Sequence, residues 1–90
     1  MRWLVILRAA REGIEEEREM LEAHWAYLRR LHAEGKLVVA GPSWSGDDPF
    51  WIGVFDVRER DEVEAALAED PAITSGAMHP EIRPMRIITR

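Results

Sequence analysis

The chain has 90 residues, a formal net charge of −5 and no cysteine. The lack of cysteine excludes disulfides and thiolate metal sites, and the acidic balance argues against a nucleic-acid backbone or an anionic membrane as the main partner. A hydrophobic fraction of 47% is typical of a globular protein, and the length predicts one domain over residues 1–90. The apolar stretch WLVIL at 3–7 is too short for a signal peptide or a membrane span, so we expect a cytoplasmic protein.

The first third of the chain predicts a strand followed by a long helix. Residues 2–8 (RWLVILR) are rich in β-formers, and both alternating sets of side chains are apolar, which indicates a strand covered on both faces. Residues 13–34 have helical periodicity, with glutamates in the first turns, arginines near the end and Gly35 in the position of a C-cap. The apolar stripe of this helix includes His24.

The middle of the chain predicts two strands. Residues 36–42 (KLVVAGP) form the first of them, which ends at Gly41-Pro42, and residues 50–57 (FWIGVFDV) form the second. The intervening segment 43–49 (SWSGDDP) is predicted to be a loop, because it is dense in turn residues.

The remaining predicted elements are a helix over 61–70, a loop over 72–80 with room for one helical turn, and a strand over 81–90. The helix begins with Asp61 and Glu64 in the spacing of a capping box. It ends at Asp70, because Pro71 follows and a proline disfavours helical geometry in the residue before it. Pro84 lacks a backbone donor, so the last strand is predicted to be an edge strand or to be bulged there.

The order β-α-β-β-α-β predicts the ferredoxin-like α+β fold, in which a four-stranded antiparallel sheet has two helices on one face. No element remains to cover the other face, yet alternate side chains of the first and third strands are apolar there. An apolar sheet face of this kind usually marks an interface. We therefore predict a homodimer in which two sheets pack face to face.

His24 is the first candidate for chemistry, because a titratable imidazole lies among apolar side chains. It is either a core histidine whose ring nitrogens are satisfied or a general acid/base that a carboxylate tunes in a low-dielectric pocket. Asp70 is the best candidate for that carboxylate, since the second helix is predicted to end there and to pack beside the first. The alternative for Asp70 is a turn or C-terminal cap that accepts from a nearby backbone N–H.

Four further residues are predicted to line a small-molecule pocket: Tyr27, Ser43, Trp44 and Trp51. The two tryptophans suit the wall of a pocket for an aromatic or flat ligand, and Tyr27 offers a phenolic donor one turn after His24. Ser43 carries an unactivated hydroxyl in the adjoining loop. The alternative for Trp51 and Tyr27 is ordinary packing in the core or an interface.

The sequence indicates neither a metal nor a cofactor. His24 and His32 lie two helical turns, about 12 Å, apart on the first helix, so they cannot share one metal ion directly. No His-Glu-x-x-His pattern, Gly-rich phosphate loop or nucleophile elbow occurs. A sheet that binds RNA would need basic residues around its exposed aromatics, which strand 50–57 lacks.

Four short segments carry a resemblance to a known family. They are His24 with AYL at 26–28, EGKLVVAGP at 34–42, EDP at 69–71 and SGA at 75–77. In this order and spacing, within a βαββαβ chain, the sequence resembles the YciI-related (YCII) domain family of the dimeric α+β barrel superfamily.

The resemblance implies a ferredoxin-like protomer, a dimer closed by its sheets, and a pocket between helix and sheet where a histidine and an aspartate face each other. Carried over to this chain, the pair is His24 and Asp70. Relatives in the superfamily include a dehydrochlorinase that acts on a hydroxylated aromatic, lactone isomerases and cofactor-free monooxygenases. The chain departs from the family pattern in two places: Ala72 replaces an aromatic residue, and a loop containing Trp44 follows Pro42.

These observations predict a small-molecule enzyme that uses a His24–Asp70 pair for proton transfer, as a lyase or isomerase acting on a cyclic or aromatic oxygenated compound. Two alternatives stay open. One is a non-catalytic dimer that binds a small ligand or has a regulatory role, in which the pair is a structural hydrogen bond. The other is a structural dimerisation domain with no pocket.

Overall fold

The computed structural model describes residues 2–89. Its strands are β1 (Arg2–Ala9), β2 (Leu37–Ser45), β3 (Asp48–Phe55) and β4 (Met78–Met85), and its helices are α1 (Arg18–Ala33), α2 (Arg60–Leu67) and α3 (Pro71–Thr74). The strands form one antiparallel sheet in the order β2-β3-β1-β4. The predicted ferredoxin-like α+β fold is therefore confirmed.

The hydrophobic core lies between the helices and one face of the sheet. Val5 and Leu7 of β1 and Phe55 of β3 are buried on that face, against helical side chains that include Leu31 and Val63. The alternation of β1 makes this possible, because odd-numbered residues point to the helices and even-numbered residues to the other face. Nothing in the described part of the chain covers that other face.

The central position of β1 explains its apolar composition. It pairs with β3 on one side and with β4 on the other, so β2 and β4 are the two edges of the sheet. Pro84 lies in β4, which confirms the predicted edge strand, because an edge strand leaves one row of backbone groups without ladder partners.

The segment predicted as a loop at 43–49 is instead the tip of a long β2–β3 hairpin. Trp44 pairs with Pro49 and Ser45 with Asp48, so the connection consists of two residues that begin with Gly46. Gly46 has φ 62°, a conformation that glycine adopts without steric cost and that tight hairpin turns require. The prediction was wrong because turn-forming residues extend into the strands on both sides of this turn.

Helix α1 begins later than predicted but ends as expected. A 3₁₀ turn occupies Ile14–Glu16, and the backbone leaves helical geometry at Glu17 before α1 starts. At the other end, Gly35 has φ 80°, and its N–H donates to the carbonyl of His32 at 3.0 Å. The N–H of Lys36 donates to the carbonyl of Leu31 at 3.0 Å, which completes the paired hydrogen bonds of a Schellman motif.

The region after β3 differs from the prediction in a way that matters for the site. The capping box of α2 uses Glu59 and Glu62, whereas Asp61 and Glu64 were predicted. Helix α2 ends at Leu67, so Asp70 lies beyond it, in extended geometry before Pro71. Asp70 is the N-cap of α3, where the helix dipole stabilises its negative charge. The predicted position of Asp70 at a helix C-terminus was therefore wrong.

The last strand is also displaced. It begins at Met78, three residues before the predicted 81–90, because the turn of α3 is short and Gly76 reverses the chain with φ 76°. It ends at Met85, and residue 90 of the predicted strand lies outside the described residues. Among residues 2–89, no helix has the length and apolar content needed to cross a bilayer.

Candidate functional site

The site is centred on His24, which α1 turns toward the sheet. Its side chain is fully buried, and Tyr27 and Leu31 on the same stripe of the helix are also buried. These positions follow the three- and four-residue spacing that places side chains on one helical face. His24 and Asp70 are the two buried polar residues among the described part of the chain.

Asp70 reaches His24 from α3. Its Oδ1 lies 2.7 Å from Nδ1 of His24 and also accepts from the backbone N–H of Ala72 at 2.9 Å. The second contact is the N-cap hydrogen bond of α3, and Pro71 at the first helical position fixes the geometry of that turn. The hydrogen bond from the Ala72 N–H therefore positions the carboxylate independently of its contact with the imidazole.

This arrangement assigns the two ring nitrogens of His24 different roles. A carboxylate accepts hydrogen bonds, so Nδ1 carries the proton that it donates to Asp70. In the neutral ring, Nε2 is then the atom with a free lone pair. Within residues 2–89, Nε2 has no hydrogen-bond partner, and neither does Oδ2 of Asp70. Buried polar atoms are normally satisfied, so an unpartnered imidazole nitrogen in the core calls for a functional explanation.

One tryptophan contacts the imidazole, and a second packs against the first. The ring of Trp51 meets His24 edge-on, with 4.8 Å between centroids and 86° between planes. Trp25, on the outer flank of α1, lies 6.1 Å from Trp51. Trp51 is half-buried and Trp25 is 38% exposed, so the pair stands between His24 and the surface.

Three spaces adjoin Trp51. A small cavity of about 20 Å³ is bordered by Trp51, Tyr27 and Asp70. What we term the edge groove has about 560 Å³ and lies between α1 and the β2 edge, lined by residues that include Trp25, Arg29, His32, Val38–Pro42 and Trp51. What we term the hairpin groove has about 390 Å³ and is lined by Trp25, Trp44, Pro49, Trp51 and neighbouring side chains. His24 lines none of the three, so its ring is closed off in this conformation.

The predicted pocket residues divide into two groups. Trp51 contacts His24, and Tyr27 borders the small cavity together with Asp70. Trp44 is 64% exposed and reaches only the hairpin groove. Ser43 pairs with Phe50 in the hairpin and lines none of the three spaces. The structure therefore brings Tyr27 and Trp51 to the His24–Asp70 pair and leaves Ser43 and Trp44 apart from it.

The hydroxyl of Tyr27 is already engaged. It donates to the backbone carbonyl of Ala66 at 2.6 Å and so ties α1 to α2. Burial raises the pKa of Tyr27 above its usual 10.0, and the carboxylate of Glu69 adds to that rise. A neutral phenol that is committed to a backbone carbonyl is a structural group rather than a free donor for a ligand.

Trp25, Arg29 and His32 around the edge groove were not among the predicted pocket residues. The sequence feature that could have identified them is their separation by four and then three residues. This spacing places them along one flank of α1, at the border of its apolar stripe. Across residues 2–89, no group of three histidine, cysteine, aspartate or glutamate side chains lies close enough to hold a metal ion.

No functionally curated protein matches the sequence. A 5-chloro-2-hydroxyhydroquinone dehydrochlorinase from Burkholderia phenoliruptrix AC1100, solved with 2,5-dihydroxybenzoquinone, is 24% identical with a TM-score of 0.74, and the match covers 93% of each chain. A protein from Arabidopsis thaliana is 12% identical with a TM-score of 0.49, over 99% of this chain and 100% of the other.

The likeness to the dehydrochlorinase, at this identity, shows a shared fold. The family model is more specific, because it is built on sequence and matches almost the whole chain. The model of the YCII-related domain matches residues 1–86. The chain therefore belongs to the YCII-related domain family.

Proposed function

We propose that the protein is a small-molecule enzyme in which His24 transfers a proton and Asp70 positions its ring. The observation that carries the proposal is the buried hydrogen bond of 2.7 Å between Nδ1 of His24 and Oδ1 of Asp70, with Nε2 unpartnered. The reaction type is a lyase or isomerase step on a cyclic or aromatic oxygenated compound.

The pair has the parts that general acid/base catalysis needs. Asp70 fixes the tautomer and stabilises the positive charge that forms when Nε2 of His24 takes a proton. Water is excluded from the ring, and electrostatic interactions are stronger in such a site than in solvent. Proton transfer of this kind requires no cofactor.

The aromatic surroundings support the substrate class. The indole of Trp51 contacts His24, and it also lines both surface grooves. A planar ring that stacked beside Trp51 would lie next to the imidazole once the indole turned aside. The dehydrochlorinase with the same fold acts on a chlorinated, hydroxylated aromatic compound, which supports a related substrate for this chain.

The proposal extends to a homodimer in the cytoplasm. The sheet face opposite the helices presents Leu4 and Ile6 of β1 next to Ile52 and Val54 of β3, all four only half-buried. An apolar patch of this kind at the centre of a sheet favours packing against a second copy. The absence of cysteine agrees with a reducing compartment.

One observation favours a second candidate, a non-catalytic protein that binds a small ligand. The ring of His24 is fully buried and lines none of the neighbouring spaces. If Trp51 never moves, the His24–Asp70 pair is a structural hydrogen bond between α1 and α3, and the grooves alone interact with the ligand.

Turnover of 5-chloro-2-hydroxyhydroquinone and related hydroxylated aromatics, followed by chloride release and absorbance, separates the two candidates. We expect His24→Gln to lower kcat by about 10²–10⁴-fold, the usual contribution of a general acid/base. Asp70→Asn keeps an acceptor for Ala72 and should lower kcat through loss of charge and of the fixed tautomer.

The matched control is His79→Gln, which changes an exposed histidine of β4 and should leave kcat unchanged. Far-UV circular dichroism and thermal unfolding establish that each variant is folded. Equal turnover by His24→Gln and wild type would refute the catalytic role. Wild-type binding of these compounds without turnover would favour the binding protein.

A further inference from the structure

The edge groove has features that the proposed function does not use. It is the largest of the three spaces beside Trp51, and α1 forms one of its walls with Trp25, Arg29 and His32. The opposite wall is formed by residues of β2, which is an edge strand with a register shift between Leu37 and Val39. A concave site between a helix and a strand, with polar groups at a few points, is typical of small-molecule binding sites.

The groove presents an aromatic surface. Trp25 and Trp51 both line it, with 6.1 Å between ring centroids and 45° between planes. Trp25 keeps 38% of its surface exposed, although indole is among the side chains that gain most from burial. A flat ring placed against this pair would remove apolar surface from water and complete the aromatic packing.

The groove also presents positive charge without a partner. Arg29 has no hydrogen bond and no ion pair with any residue in 2–89. Most other arginines of the chain are paired with carboxylates: Arg2, Arg8, Arg11, Arg30, Arg60 and Arg83. An unpaired guanidinium beside a concave aromatic surface is a suitable anchor for an anion, because its donors match carboxylate oxygens.

The charge of the groove is unusual for this chain. The net charge is −5, yet no aspartate or glutamate lines the edge groove. By contrast, the hairpin groove includes Glu15 and Asp47, and the groove between α1 and α2 includes Glu34 and two other glutamates. An anionic ligand would therefore meet least repulsion at the edge groove.

His32 adds a second polar group. Its Nδ1 donates to the backbone carbonyl of Leu37 at 2.8 Å, which holds the ring against the start of β2. Because a carbonyl only accepts, Nδ1 carries the proton and Nε2 is the remaining polar atom. His32 and Arg29 thus lie on one wall of the groove, one helical turn apart, with the aromatic pair beside them.

We propose that the edge groove binds a planar aromatic molecule that carries a carboxylate. Its ring packs on Trp25 and Trp51, and its carboxylate pairs with Arg29. This inference rests on the proposed function for its link to chemistry, since Trp51 is both a wall of the groove and the cover of His24. Arg29 then determines specificity for anionic substrates, while His24 performs the proton transfer.

Isothermal titration calorimetry with 2-naphthoate and 2-naphthamide tests the inference. The two probes share a flat ring system and differ in the negative charge. We expect wild type to bind 2-naphthoate more tightly than 2-naphthamide, and Arg29→Gln to weaken 2-naphthoate binding about tenfold, because a charge-assisted hydrogen bond is lost. Binding of 2-naphthamide should stay the same in Arg29→Gln.

Arg18→Gln is the matched control. It removes one positive charge from the same helix, at a position that does not line the groove, and should leave both affinities unchanged. The inference is overturned if Arg29→Gln binds 2-naphthoate as wild type does, or if Arg18→Gln loses as much affinity. It is also overturned if binding weakens as the protein concentration rises, which would show that a second copy occupies the groove.

His24→Gln separates this inference from the proposed function. If it binds 2-naphthoate normally and has lost turnover, both stand. If it keeps turnover while Arg29→Gln loses binding, the groove assignment stands and the catalytic role fails. If Arg29→Gln binds normally and His24→Gln has lost turnover, the catalytic role stands and the groove assignment fails.

Discussion

The two faces of the sheet are built from the same strands but differ in how deeply their apolar side chains are buried. On the helix side, Val5 is 2% exposed and Phe55 is 2% exposed, and the His24–Asp70 pair lies beneath them. On the opposite side, Ile6 and Val54 are only half-buried, although they are as apolar as their neighbours. The described residues cover one face with helices and leave the other half-buried, which is the face that the proposed dimer would cover.

The two sheet faces differ in burial, and the length and apolar pattern of the chain account for that difference. A chain of this length buries a modest core, and the helices suffice for one sheet face. The continuous apolar run of β1 places apolar side chains on both faces of the sheet, and their exposure to water on the second face is unfavourable. The helix side therefore contains the core and the candidate site, whereas the open side is the interface of the proposed dimer.

Replacement of Phe55 should have the largest effect. Phe55→Ala leaves a cavity in the core, and we expect the free energy of unfolding to fall by about 3–5 kcal/mol, independent of protein concentration. Urea unfolding at several concentrations measures this. The matched control is Val54→Ala on the open face, whose cost should grow with concentration because it acts through the dimer. The same concentration dependence for both variants would remove the distinction between the faces.

A charge on the open face should have the next largest effect. Ile52→Arg places a guanidinium at the centre of the proposed dimer interface, and we expect dimerisation to weaken by about 2–5 kcal/mol, the cost of an unpaired buried charge. Sedimentation velocity should show monomers at concentrations where wild type is dimeric. Ala26→Arg, on the exposed face of α1, should remain dimeric. A wild type that is monomeric at micromolar concentration would refute the interface.

The smallest effect belongs to Tyr27 on the helix side. Tyr27→Phe removes its hydrogen bond to Ala66 and should cost about 1 kcal/mol at neutral pH. The folded-state pKa of Tyr27 is raised by burial, so its stabilising contribution is complete below pH 10 and is lost as pH rises through the folded-state pKa. Unfolding measured from pH 8 to 11 should show a smaller alkaline decline for Tyr27→Phe. An identical decline in both proteins would contradict this origin.

The sequence predicted the fold well, because the fold depends on periodicity and termination signals. The apolar run at 2–8, the helical stripe and Gly35 identify β1 and α1, and Pro84 identifies an edge strand. The predicted loop at 43–49 was wrong, since the two-residue turn that begins with Gly46 is surrounded by other turn-forming residues. Local composition cannot show where a hairpin stops.

The site was predictable as a pair but not in its details. His24 and Asp70 were placed close together, and they lie 2.7 Å apart, while their roles stay a prediction. Asp70 was assigned to the C-terminal end of the second helix, whereas α2 already ends at Leu67 and Pro71 is the first residue of α3. The cover over His24 and the unpaired Arg29 depend on side-chain placement across elements, which periodicity does not encode.

The double use of Asp70 Oδ1 has a consequence for how the site can fail. One oxygen accepts from both Nδ1 of His24 and the N–H of Ala72, so the imidazole and the shortest helix share a single anchor. Unwinding of α3 releases that amide and the orientation of the ring together. The hydrogen-exchange rate of the Ala72 amide therefore reports local unfolding of α3. Each such opening also releases the hydrogen bond that orients the imidazole of His24.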